Sequence, residues 1–72
     1  MKRLETVKNE VEQYRRRLGM TQEELALEAA VTRQTIISIE KGNYVPSVLL
    51  ALKLAGIFKL PVEEVFQYEP SQ

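Results

Sequence analysis

Apolar residues recur along this chain at helical spacing, and a capping residue opens most of the apolar runs. Val11, Tyr14 and Leu18 form an i, i+3, i+7 stripe and predict a first helix over 10–18. Asn9 would be its N-cap and Glu12 the return partner of a capping box. Glu10 and Glu12 begin it and Arg15, Arg16 and Arg17 end it, which suits the helix macrodipole, and Gly19 stops it. Thr21-Gln22-Glu23-Glu24 is a capping box and opens a second helix to about 29, with Leu25 and Ala29 inward and Ala26 allowing close approach. Thr32 caps a third over 33–40, with Ile36 and Ile39 inward, and Lys41-Gly42-Asn43 ends it. Ser47 caps a fourth over 48–58, and Pro61 with Glu63 and Glu64 opens a short fifth that buries Val65 and Phe66. Segments 3–7 and 65–68 alternate polar and apolar and are expected to pair as an antiparallel ribbon.

Length and composition narrow the function. At 72 residues the chain is expected to be a single domain, 1–72, whose core supplies only about 3–5 kcal/mol without a staple. Cys and His are both absent and every acid is Glu, which removes disulfides, the usual metal ligands and the commonest general base. No enzymatic activity, metal or cofactor is expected, and a binding module is the default. Oligomerisation is the remaining staple. No apolar run is long enough for a membrane span and the start MKRLETVK has no apolar signal core, so a cytoplasmic protein without a membrane partner is expected.

Only about three residues separate the second and third helices, the spacing of a helix-turn-helix, whose second helix enters the DNA major groove. The blocks Leu18-Gly19-Met20-Thr21-Gln22-Glu23-Glu24-Leu25-Ala26, Val31-Thr32-Arg33-Gln34-Thr35-Ile36, Ile39-Glu40-Lys41-Gly42, Pro46-Ser47, Ala51-Leu52-Lys53-Leu54-Ala55 and Val62-Glu63-Glu64-Val65-Phe66 stand in register. Together they resemble the Cro/C1-type, or XRE, family. The resemblance covers 9–66, with the helix-turn-helix at 21–40. It implies an all-α, five-helix, lambda-repressor-like DNA-binding domain. The ending Phe66-Gln67-Tyr68-Glu69-Pro70 further resembles a subgroup of short stand-alone regulators of the cytolysin-operon-repressor type. That implies a ribbon from 3–7 and 66–69 and a homodimer. Three positions depart from the family pattern: Ala30 in the turn and Lys59 after the fourth helix, where Gly or Asn is frequent, and Ile37 at a usually polar site of the third helix.

The resemblance also implies roles for particular residues. Arg33 and Gln34 open the recognition helix, where Arg matches guanine O6/N7 and Gln adenine N6/N7; Arg33 can instead settle on a phosphate. Ser38 shares their face, and Ile37 meets either a thymine methyl or protein. Gln22 is implied to contact phosphate beside a helix N-terminus. Thr35 donates to a phosphate or covers the turn. Lys41, Asn43 and Tyr44 follow the sugar-phosphate backbone, unless Tyr44 packs over Pro46. Arg15 pairs with Glu40 as a structural tie, and Arg16 and Arg17 form a solvated face.

Zero net charge hides an uneven distribution: 31–59 carries Arg33, Lys41, Lys53 and Lys59 against Glu40 alone. In the fourth helix Val48, Ala51, Leu52, Leu54, Ala55 and Phe58 fit an inner face. Leu49 and Ile57 fall outside it, and with Val45 and Val62 they predict a dimer interface that sets two recognition helices about 34 Å apart. The expected function is a sequence-specific transcriptional regulator, with repression the expected mode, that binds an inverted-repeat operator in double-stranded DNA and no small-molecule substrate. The alternatives are an antitoxin-type DNA-binding partner of a toxin and a protein-interaction adaptor on the same fold.

Overall fold

The structure is a computed structural model that describes residues 6–70. In chain order it contains β1 (Thr6–Asn9), α1 (Val11–Arg17), α2 (Gln22–Ala29), α3 (Arg33–Glu40), α4 (Val48–Phe58), α5 (Val62–Val65) and β2 (Phe66–Glu69). The fold is all-α with a small two-stranded antiparallel sheet.

Three of the expected caps form. Thr21 Oγ1 accepts from the Glu24 N–H at 3.0 Å, and the Glu24 carboxylate accepts from the Thr21 N–H at 2.8 Å. Thr32 caps α3 through the Thr35 N–H at 3.2 Å, and Ser47 caps α4 through the Leu50 N–H at 3.1 Å. Ala30 and Lys59, which end α2 and α4, are both left-handed at φ 59° and φ 60°. Each therefore carries a steric cost that glycine would avoid.

The start of α1 differs from expectation. Asn9 belongs to β1, and the capping box with Glu12 does not form. Its side chain still satisfies the helix start, accepting from the Val11 N–H at 3.1 Å, while its amide donates to the Ile39 carbonyl at 2.9 Å. The ribbon pairs Thr6 with Glu69 and Asn9 with Phe66, so among the described residues its first strand is 6–9 and continues past the expected end at 7. Positions 3–5 of the expected strand lie outside the described residues.

Val11, Leu25, Ala26, Ala29, Ile36, Ile39, Leu50, Leu54, Ala55, Phe58 and Val65 form the core. Two expected faces are corrected. Leu18 is exposed and Arg15 takes the inward place on α1, because the helix ends at Arg17 and the Leu18 side chain falls beyond its packed face. On α4 Leu50 is buried, whereas Val48 is 75% exposed and Leu52 is also exposed. Nearly every α4 position is apolar, so spacing alone does not choose among its faces, and the i, i+4, i+8 row Leu50, Leu54, Phe58 is the one turned inward.

Candidate nucleic-acid interface

The corner between α2 and α3 uses Ala30, Val31 and Thr32. Left-handed Ala30 lets the Val31 N–H reach the Ala26 carbonyl at 3.0 Å, which closes α2 and turns the chain sharply. The α2 carboxyl end receives a further partner, the Lys53 ammonium, which donates to the Ala29 carbonyl at 3.0 Å. Lys53 thus helps close a helix end. Local spacing does not signal this role, because the partner is 24 positions away.

Thr32, Thr35 and their mutual hydroxyl contact at 3.1 Å fix the first turn of α3. Arg33 and Gln34 project from that turn into solvent. Gln34 makes only a long contact to the Ser38 hydroxyl, 3.4 Å, and Arg33 makes no ion pair among the described residues. Ser38, Ile37 and Thr35 are half-buried. Thr32, Gln34, Thr35, Ser38, Asn43 and Tyr44 line a shallow recess of about 270 Å3, so the loop after α3 curls back beside its first turn. Gly42, at φ 80°, makes this return possible: its N–H reaches the Ile39 carbonyl at 2.9 Å and the next N–H, of Asn43, reaches Ser38 at 2.9 Å. Lys41, Asn43 and Tyr44 are exposed along that loop.

The other end of α3 is locked. Arg15 Nε donates to Glu40 Oε2 at 2.7 Å and Nη2 to Oε1 at 3.2 Å, while Nη1 donates to the Met20 carbonyl at 2.8 Å. Both side chains are more than nine-tenths buried. The hydrogen bond to Glu40 holds the Arg15 pKa above its ordinary value, against the lowering effect of burial. Gln22 also enters this cluster, its Nε2 donating to Glu40 Oε1 at 3.0 Å. That bond joins the start of α2 to the end of α3, and nothing in local spacing signals it. The other two arginines of α1 also have partners: Arg16 pairs with Glu12 at 2.8 Å, and Arg17 sits over the Tyr14 ring, 5.3 Å from its centroid.

Of the four residues expected at a dimer interface, Val45 and Leu49 are exposed, Leu49 by 68%. Ile57 and Val62 are half-buried against the chain's own core. The exposed apolar strip instead runs through Tyr44, Val45, Val48, Leu49 and Leu52.

A helix-turn-helix whose second helix is anchored at one end and bare and polar at the other defines a DNA-binding transcriptional regulator. Residues 11–65 match the family model described as helix-turn-helix, and the chain belongs to that family, of Cro/C1 or XRE type. It is 51% identical over 63 residues to the HTH-type transcriptional regulator YgzD of Bacillus subtilis (strain 168), covering 88% of this chain and 96% of the relative. It is 47% identical over 66 residues to an HTH-type transcriptional regulator of Methanocaldococcus jannaschii, covering 92% of this chain and 100% of that one. Among solved structures, it resembles the restriction-modification controller protein C.AhdI from Aeromonas hydrophila with a TM-score of 0.70 at 28% identity, covering 75% of this chain and 82% of that chain. No helix among the described residues is long and apolar enough to cross a membrane.

Proposed function

We propose that this protein is a cytoplasmic repressor that binds an inverted-repeat operator as a homodimer, with the whole chain acting as one DNA-binding unit. The observation that carries the reading is the bare first turn of α3, where Arg33 is exposed with no ion pair among the described residues and Gln34 lines a recess together with the following loop. In this reading Gln34 reads adenine, Arg33 reads guanine, and Ser38 and Ile37 meet the neighbouring base edges. Gln22, Thr35, Lys41, Asn43 and Tyr44 hold phosphates. Gln22 gives one amide hydrogen to Glu40 and keeps the other for the DNA. A second copy would cover the strip from Val45 to Leu52, with Ile57 and Val62 at most at its edge. Repression is the proposed mode because occupancy of an operator is enough to block a promoter.

The test is selection of bound duplexes from a random pool, with affinity then followed against salt, and sedimentation of the free protein. An inverted repeat with half-sites about one helical turn apart, bound by a dimer, is the expected result. Leu49→Glu is expected to leave a folded monomer that binds the operator weakly. Gln22→Ala is expected to weaken all duplexes alike with the salt slope unchanged, because a neutral amide releases no counterion, whereas Lys41→Ala is expected to lower that slope by about 1. Recovery of no motif, with weak salt-sensitive binding only, overturns the reading in favour of an adaptor. A recovered motif bound by a free monomer favours a toxin partner.

A further inference from the structure

We infer that the outer face of α2 is a docking groove for a basic, amphipathic segment of a partner protein. The groove measures about 630 Å3 and lies between the α1–α2 connection and α2. Its apolar floor is Leu18, Met20 and Leu27, and Glu23, Glu24 and Glu28 form its rim. Leu27 is 77% exposed and Leu18 53% exposed, large aliphatic side chains set next to each other where the fold gives them no role in the core. Helical spacing puts Glu23, Glu24, Leu27 and Glu28 on one side of α2, opposite buried Leu25, Ala26 and Ala29. Glu24 is partly committed to the cap of its own helix. Glu23 and Glu28 have no ion pair among the described residues, and no basic side chain lines the groove.

Charge selects the occupant. Carboxylates beside the floor repel nucleic acid and anionic lipid surfaces. They also repel a second copy of the same face, because a two-fold contact would bring like charges together. The strip from Val45 to Leu52 carries no acid, so it suits self-association and the α2 groove does not. Apolar anchors flanked by Arg or Lys satisfy both floor and rim, in the manner of an amphipathic helix laid in a groove. The first turn of α3 takes no part in the groove.

The experiment is panning of a random peptide library against the full chain, followed by affinity measurement on synthetic copies of the enriched peptides. Enriched peptides are expected to carry apolar residues at helical spacing flanked by Arg or Lys, with binding that weakens as salt rises. Leu27→Ser and Glu28→Lys are each expected to weaken that binding about tenfold, the scale of one lost anchor. Both side chains are exposed, so both variants should retain the wild-type helical circular dichroism, and Leu27→Ser, which changes no charge, should bind whichever duplex the wild-type protein selects with unaltered affinity. Failure of any peptide to enrich, enrichment without basic residues, or binding undiminished in both variants overturns the inference. None of those outcomes touches the operator reading, which is measured on DNA.

Discussion

The two ends of α3 are built on opposite plans. At its carboxyl end Ile36 and Ile39 fill the core, Asn9 holds the Ile39 carbonyl, and Glu40 accepts from both Arg15 and Gln22. At its amino end Arg33 and Gln34 are exposed and nearly uncommitted. A recognition element needs both conditions. The fixed end sets where the helix lies, and the bare end can desolvate onto DNA without first breaking contacts within the protein. The difference predicts that damage at the two ends should appear in different measurements.

The largest effect belongs to the fixed end. Glu40→Ala removes the acceptor for the buried Arg15 guanidinium and leaves that charge unpaired. Such a loss is expected to cost about 3–5 kcal/mol in denaturant unfolding, most of the stability of a domain this size. Replacing both partners, Arg15→Met with Glu40→Met, is expected to recover most of that loss, because no buried charge is then stranded. The double variant would still release Gln22, so its DNA affinity should remain below wild type even where its stability does not. Equal recovery of both would show that Glu40 has no part in holding the Gln22 amide.

Gln34→Ala should invert the pattern. Its unfolding midpoint should match wild type, while specific DNA affinity falls by about 1–3 kcal/mol and one base position relaxes. Affinity and sequence preference both unchanged would mean that α3 does not enter the groove by its first turn.

These contrasts were unevenly legible in the sequence. Thr21, Thr32 and Ser47 announce their helices because a cap is a contact over three residues, and a local signal survives any tertiary context. The tie between Arg15 and Glu40 came from the family resemblance, since nothing local joins positions 25 apart. What stayed hidden was set by contacts between distant segments. Asn9 was readable as a cap but not as a strand residue, because its β partner is Phe66. Leu50 could not be told from Val48 and Leu52 in a helix that is apolar on every side. The Gln22 and Lys53 bonds span 18 and 24 positions and leave no periodic trace.

A smaller effect tests whether the turn matters to the free end at all. Ala30→Gly removes the left-handed penalty at the corner and is expected to raise stability by about 1 kcal/mol, less what glycine loses to a more flexible unfolded chain. Lys59→Gly should do the same after α4. DNA binding should not change, since the corner geometry is kept. A gain in stability accompanied by weaker DNA binding would show that the Ala30 methyl stiffens the approach of α3.

The smallest expected effect is that of pH. Among the described residues Arg15 is the shifted group, and its shift is upward, chiefly through the hydrogen bond to Glu40. A base whose pKa rises on folding stabilises fully at any pH below its ordinary value and loses that contribution only as pH climbs past the raised one. Both values lie far above neutral, so the fixed end should hold unchanged from about pH 6 to 8, a range in which His is the usual titrating side chain. The bare end contains no His either, because the chain has none. Affinity for the selected duplex, measured by fluorescence anisotropy at constant ionic strength, should therefore shift by less than about twofold across that range, well under the tenfold that 1.4 kcal/mol would give. A larger change confined to DNA binding would place a titrating group of this chain, raised or lowered by contact with phosphate, at the bare end of α3.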